Sequence, residues 1–342
     1  MTLWTTFCPQ KVCWELTYRE TNGDLPTSDW QKRKNLIRDA LALLKEHGIS
    51  GIRLVIFPYE ITDGKSYEFS SIDYVLELCQ QLSLEVDFCV GPFQYPHYPG
   101  VRLPYPFVQR LSADQTVLDD DVFFWKFGLE FLTIQMKRYG KDSRIRGFYL
   151  GNEWPDRQKI ERKESLATTI SANFMMQCAL IMKDFTTKPI LFNTNIEAAL
   201  TDKLKKTFGD LFRELGDQVR IGFDVYPSQI DWKLRVLHRM KPYAKAMQAL
   251  NGFVLREQRL FTELEAQPWG EGRAWEYYIK QAQNPQQAVL QYSRDSLPTS
   301  WKNFVLPSQI TEINLWGSEF WLVAYHAGVT WPLEQVKEYT VG

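Results

Sequence analysis

Short apolar runs rich in Val, Ile and Phe alternate with longer amphipathic stretches from near one end of the chain to the other. Eight runs read as strands: VCWEL (12–16), GIRLVIF (51–57), LEVDFCV (84–90), IRGFYLG (145–151), PILFN (189–193), VRIGFDV (219–225), RLFTE (259–263) and ITEINLW (310–316). Their nearly continuous hydrophobicity is what a strand buried on both faces needs, and this points to a parallel sheet covered by helices. Between them, apolar residues recur at helical spacing over 29–48, 70–82, 119–140, 164–185, 199–215 and 230–250. A seventh helix is expected within 285–296, and a final helical segment over 320–339. Start and stop signals agree: an Asp opens and a Gly closes 29–48, and 119–140 carries acids in its first turn and bases in its last.

Eight strands alternating with about eight helices predict an α/β fold, a (β/α)8 TIM barrel. A doubly wound open sheet competes less well, because no GxGxxG follows any strand. No linker, low-complexity tract or short repeat interrupts the pattern, so residues 1–342 are expected to form one barrel domain. The longest strand-to-helix insertions, 91–118 and 264–284, are rich in Pro, Tyr, Phe or Trp. Both fall on the face where barrel active sites form.

Composition narrows the function classes. The formal net charge of −1 favours neither nucleic acid nor an anionic membrane as partner. No window approaches 18 uninterrupted apolar residues, so no transmembrane helix is expected. The start, MTLWTTFCPQKVCWEL, lacks the features of a signal peptide, and the expected location is the cytoplasm. Five scattered cysteines without a CxxC pair read as reduced thiols, and the four histidines stand far apart in sequence. Neither a metal nor another cofactor is expected.

Functional residues of a barrel project from the C-terminal ends of its strands. Those positions hold Glu15 after the first run, Arg53 in the second, and Pro92, Phe93, Tyr95 and His97 after the third. Asn152, Glu153 and Trp154 follow the fourth; Asn193 and Asn195 end the fifth; Asp224 and Tyr226 end the sixth. Glu263 and Glu265 end the seventh, and Trp316 and Glu319 the eighth. Glu153 and Glu263 each appear where a strongly apolar strand stops, on strands roughly opposite in a closed barrel. Cleavage of an acetal needs two such groups, one acid for the leaving oxygen and one carboxylate for the anomeric centre. A gap of roughly 5–5.5 Å gives retention, and ~6.5–9.5 Å inversion.

GIRLV with Arg53, LGNEW with Asn152 and Glu153, DVYP with Tyr226, FTELEAQPW with Glu263, and INLWGSEFW with Trp316 resemble, in order, the clan A glycoside hydrolases. These are retaining (β/α)8 enzymes that include family 5 cellulases and mannanases and family 42 β-galactosidases. The resemblance runs from about residue 12 to residue 325 and implies a retaining β-glycosidase acting on a β-linked carbohydrate. It implies Glu153 as acid/base and Glu263 as nucleophile. Asn152 would bind the sugar 2-hydroxyl, Arg53 and Tyr226 would contact the nucleophile, and Trp316 would floor the sugar site. Many clan members carry a His-x-Tyr element on strand six, where this chain has Asp224-Val225-Tyr226. His97 is a further substrate-binding candidate in the third loop, as is Asn193 on strand five. Trp154 and Trp269 follow the two glutamates and are candidates for sugar subsites, with Trp14, Phe93, Tyr95, Tyr98 and Trp321 behind them. Each aromatic has the alternative of ordinary barrel packing, and Arg53 that of an internal charge held by a carboxylate, Glu15 or Glu263. Glu312, Glu319 and the cysteines read as structural. Three other functions compete: transglycosylation through the same intermediate, a carbohydrate-binding barrel without catalysis, and a metal-dependent barrel hydrolase.

Overall fold

The computed structural model describes residues 1–21, 30–95, 100–111, 116–152, 158–160, 163–195, 202–225, 228–231, 236–239, 259–265, 297–298, 301–306, 310–326 and 328–339. Eight parallel strands close into a barrel. They are β1 (Thr2–Phe7), β2 (Gly51–Val55), β3 (Glu85–Cys89), β4 (Gly147–Tyr149), β5 (Ile190–Asn195), β6 (Val219–Val225), β7 (Arg259–Glu265) and β8 (Glu312–Trp316). Closure is made by β1, which pairs with β2 on one side (Thr6 level with Arg53) and β8 on the other (Trp4 level with Asn314). The fold is the expected (β/α)8 barrel.

Alternation along each strand sorts the core into two parts. Leu3, Ile52, Leu54, Val86, Phe88, Phe148, Ile190, Ile221, Phe223, Ile313 and Leu315 pack outward in one large cluster with helix residues such as Ile37, Leu41, Val75, Phe131 and Met182. The intervening positions face the barrel axis. There Cys8, Val55, Phe57, Cys89, Tyr95, Tyr149 and Leu191 form a separate cluster. Burial of both faces explains why the strands read as continuous apolar runs.

The covering helices include α1 (Pro9–Thr21), α2 (Trp30–Glu46), α3 (Ser70–Gln81), α4 (Val122–Tyr139), α5 (Ala172–Phe185), α6 (Asp202–Leu215), α7 (Ser318–His326) and α8 (Trp331–Glu338). Their ends follow local chemistry. Asp121 caps α4 by accepting from the Phe123 N–H at 2.8 Å, and Lys137 and Arg138 occupy its last turn. Ser171 caps α5 through the Phe174 N–H at 3.1 Å.

Three expectations are corrected. The first strand is Thr2–Phe7, and VCWEL (12–16) lies inside α1. Pro9 opens that helix, where its missing N–H costs nothing. The helix expected over 164–185 begins only at Ala172, because Lys163–Thr168 is a strand paired antiparallel with Gln158–Ile160. Within the helix expected over 230–250, Ser228–Asp231 and Val236–Arg239 instead pair as antiparallel strands, and 240–250 lies outside the described residues. The helix expected within 285–296 lies outside them too.

Candidate active site

The C-terminal ends of the strands gather a chain of buried amides and a carboxylate. Gly151, at φ +76°, turns the backbone after β4 and delivers Asn152 to the barrel mouth. Asn193, near the end of β5, donates through Nδ2 to Asn152 Oδ1 at 2.9 Å and to Asp224 Oδ2, on β6, at 2.5 Å. Asn152, Asn193 and Asp224 are 3%, 2% and 1% exposed, so solvent competes little for these bonds. Three neighbouring strands thereby contribute one continuous hydrogen-bonded row. Asn314 on β8 extends the polar lining by donating to Thr6 Oγ1 at 3.1 Å.

The backbone of β7 carries a one-residue register shift. Leu260 and Phe261 pair with Gly222 and Phe223 of β6, yet Glu263 rather than Thr262 pairs with Asp224. The pairing with β8 shifts in the same stretch, and Glu265 ends level with Trp316. Such a shift is the signature of a bulge, and it moves every later residue to the opposite phase of the pleat. Residue 263 thus stands level with Asp224.

Arg53 is fully buried on β2, and its Nη2 lies 3.8 Å from Glu312 Oε1. Its guanidinium carbon sits 5.4 Å from the Tyr149 ring centroid. Glu312 is the first residue of β8, so this contact belongs to the N-terminal floor of the barrel. There Arg146 binds Asp87 (Nε to Oδ1 3.0 Å, Nη2 to Oδ2 2.6 Å) and Glu312 (Nη1 to Oε2 and Nη2 to Oε1, both 2.8 Å). Arg220 adds a third guanidinium at 3.0 Å from Glu312 Oε2. The Trp4 ring closes the floor 4.0 Å from the Arg146 guanidinium carbon. Burial pushes the Glu312 carboxyl up, but the hydrogen bonds and charge of Arg146, with the charges of Arg220 and Arg53, outweigh it and hold its pKa at about 2. The carboxylates expected beside Arg53, Glu15 and Glu263, have no described side chains, and among the described residues it is Glu312 that stands near its guanidinium.

The loop after β3 is fixed at both ends. Arg102 N donates to Phe93 O, and Thr116–Leu118 runs parallel to Thr169 through Leu118 N to Thr169 O and Thr169 N to Thr116 O. Asp119 then accepts from the Ser171 backbone and hydroxyl, tying the end of this loop to the start of α5. Gln94 in this loop was no candidate from sequence. Its side-chain amide is buried without a hydrogen-bond partner among the described residues and lines a cavity of about 20 Å³ beside Gly151. Only its place two residues past the third predicted strand could have drawn attention to it.

Several aromatic candidates are corrected. Phe93 and Trp321 are 1% exposed, Phe93 stacking on Phe174 at 5.6 Å, and both belong to the helix-facing core. Tyr95 is enclosed in the inner cluster, edge-on to Phe57 at 5.7 Å. These rings pack the barrel and offer no open face to a sugar. Trp14 lies on α1 beneath Lys11 Nζ at 4.3 Å, and Trp316 ends β8 partly exposed. Glu319 is buried at the start of α7, beside Ser318, whose hydroxyl donates to Thr6 O at 2.7 Å. All five cysteines are free and buried, as expected. Glu153, Trp154, His97, Tyr98, Tyr226 and Trp269 lie outside the described residues, and only the backbone of Glu15, Asn195, Glu263 and Glu265 is described.

No family model and no curated protein matches the chain. Solved structures do. GH5_18 from Streptomyces cattleya, determined in complex with GlcNAc, is similar at TM-score 0.60 and 10% identity over 98% of this chain and 79% of that one. Exo-β-1,4-mannosidase Op5Man5 from Opitutaceae bacterium strain TAV5 is similar at TM-score 0.59 and 12% identity, over 100% of this chain and 59% of its own. The polyextremophilic β-galactosidase from the Antarctic haloarchaeon Halorubrum lacusprofundi is similar at TM-score 0.53 and 10% identity, over 96% and 58%. The chain spans about three fifths of the length of these last two. At such identities the likeness is one of fold: a (β/α)8 barrel of the kind found in glycoside hydrolases.

Proposed function

We propose that the chain, as one barrel domain over residues 1–342, is a retaining β-glycosidase acting on a β-linked glycoside or oligosaccharide. The observation that carries this reading is positional. In the closed barrel β4 and β7 stand three strands apart, Asn152 emerging from one and residue 263 standing level with Asp224 near the end of the other. Two glutamates that sequence places at those strand ends, Glu153 and Glu263, suit the acid/base and the nucleophile of acetal cleavage. The fold likeness to a mannosidase and a β-galactosidase supports a carbohydrate substrate.

In the first step the Glu263 carboxylate attacks the anomeric carbon while the bond from that carbon to the leaving oxygen breaks. Glu153 gives its proton to that oxygen. In the second step Glu153 takes a proton from water, the hydroxide equivalent attacks the same carbon, and the bond to Glu263 breaks. Two inversions return the original configuration. Asn152 holds the 2-hydroxyl with its amide, Tyr226 contacts the nucleophile, and Trp316, His97, Trp154 and Trp269 line the sugar subsites. No metal or other cofactor takes part in either step.

The test is a screen of 4-nitrophenyl β-glycosides with Glu153→Gln and Glu263→Gln as controls. Each variant should lose several orders of magnitude in kcat, and the first sugar product, followed by NMR, should be the β-anomer. Azide should restore turnover of Glu263→Ala with an α-glycosyl azide as product, and of Glu153→Ala with the β-azide. Full activity of Glu263→Gln on an aryl glycoside would sink the assignment, and an α-anomer as first product would make the enzyme inverting.

A further inference from the structure

We propose that Asp224 and Asn193 are positioning residues that set which end of the Asn152 amide faces the substrate. This rests on the glycosidase reading for its functional meaning, while the relay itself is a matter of hydrogen-bond polarity. Asn193 donates to Asp224 Oδ2 at 2.5 Å, so the group it presents there is its NH₂. That same NH₂ is 2.9 Å from Asn152, and its two protons serve the two contacts. The end of Asn152 that meets a donor must be its oxygen, since a flipped Asn152 would set NH₂ against NH₂. The Asn152 NH₂ is then the end turned away from Asn193. A sugar hydroxyl in the barrel mouth would therefore meet a donor from Asn152, not an acceptor.

The accepting oxygen of Asp224 at one end of the row thus sets polarity at the other, two hydrogen bonds away. Burial makes this binding: with all three side chains 3% exposed or less, water is a poor substitute for a mismatched partner. It also changes the role of Asn193. Both its amide protons serve Asn152 and Asp224, so its NH₂ reaches a ligand through Asn152. Asp224 stands where many of the resembling enzymes carry His.

Kinetics on 4-nitrophenyl β-glucoside, β-galactoside and β-mannoside and on their 2-deoxy counterparts test the relay. On the hydroxylated glycoside that the wild type turns over, Asn193→Ala should lose roughly 10- to 100-fold in kcat/KM, part of what removal of a whole transition-state donor costs. Asp224→Asn, which can present either end of its amide to Asn193, should lose less. On the 2-deoxy counterpart both variants should stay within about two-fold of the wild type, since the hydroxyl that reads the polarity is absent. Equal losses on both substrates would overturn the proposal and leave the row a packing feature. A wild type inactive on every glycoside would instead remove the glycosidase reading. The relay would still be decided by ¹H–¹⁵N spectra of asparagine-labelled protein. The side-chain pair lost in Asn193→Ala should shift in Asp224→Asn, and an unmoved pair would refute it.

Discussion

Replacing Glu312 by Gln keeps the shape of the barrel floor and removes one of its two negative charges. Arg53, Arg146 and Arg220 would then share Asp87 and a neutral amide where they now converge on two carboxylates. The size of the effect follows from proton linkage. Glu312 ionises near pH 2 in the folded chain against 4.5 as its ordinary value, and that difference contributes about 3 kcal/mol of stability at neutral pH. Because the folded value is the lower one, the contribution is fully present above pH 4.5 and is lost as pH falls towards 2. About 2 kcal/mol of it should be gone by pH 3. For 342 residues the unfolding entropy is on the order of 0.7 kcal/mol per kelvin, so 3 kcal/mol corresponds to about 4 °C in Tm. Circular dichroism melts at pH 6 and pH 3 measure this directly. Glu312→Gln should melt about 4 °C below wild type at pH 6, and the gap should narrow by more than half at pH 3. A gap that stays constant across that range would mean that Glu312 stabilises through shape, and the charge argument would fail.

Other expectations address the frame around the site. A Cβ at Gly91 would lie 2.4 Å from the Gln94 carbonyl oxygen, a backbone atom. Gly91→Ala should therefore cost roughly 1–3 kcal/mol, read from the denaturant midpoint; an unchanged midpoint would show that the loop yields freely. Asp121→Ala removes the cap of α4 and should cost about 1 kcal/mol, again by denaturant titration, with Asp121→Asn close to wild type. The buried thiols should be inert: burial pushes Cys79 up to about 12 and Cys13, against the opposing pull of Arg33, to about 11. A disulfide-exchange reagent at pH 8 should label the native protein slowly and label five thiols on unfolding. Fast labelling of the native chain would contradict that burial.

Elements with one strong signal were legible in the sequence. The helical spacing over 29–48 and 70–82 matches α2 and α3 to within two residues at each end, because each buries a single apolar stripe. The first strand was not legible. Its threonines read as polar, yet Thr5 and Thr6 are fully buried, with Thr5 Oγ1 donating to Leu315 O and Thr6 Oγ1 accepting from Asn314. Once the neighbouring strand satisfies the hydroxyl, threonine is a good β-branched strand residue. VCWEL has strand composition but is too short for periodicity to decide, and Pro9 with the residues that follow makes it helix. The partner of Arg53 was hidden for a different reason. Sequence pointed to Glu15 or Glu263 beside it, but barrel closure brings Glu312 of β8 towards β2, and no local pattern announces that.

The register shift in β7 shows how local alternation and site chemistry diverge. A strict period of two along Leu260, Phe261, Thr262 and Glu263 puts Glu263 in phase with Phe261. Phe261 pairs with Phe223 and Ile313, both in the helix-facing core. A carboxylate in that phase would meet an apolar layer, where an unpaired charge costs several kcal/mol. The shift sets residue 263 level with Asp224 instead, in the phase of Leu260 and its partner Gly222. The same displacement carries residue 265 to the level of Trp316. One extra residue in one strand thus brings two glutamate positions level with Asp224 and Trp316 at the mouth. Bulges concentrate beside active sites for this reason: they change the phase of a strand end without disturbing the core that holds it.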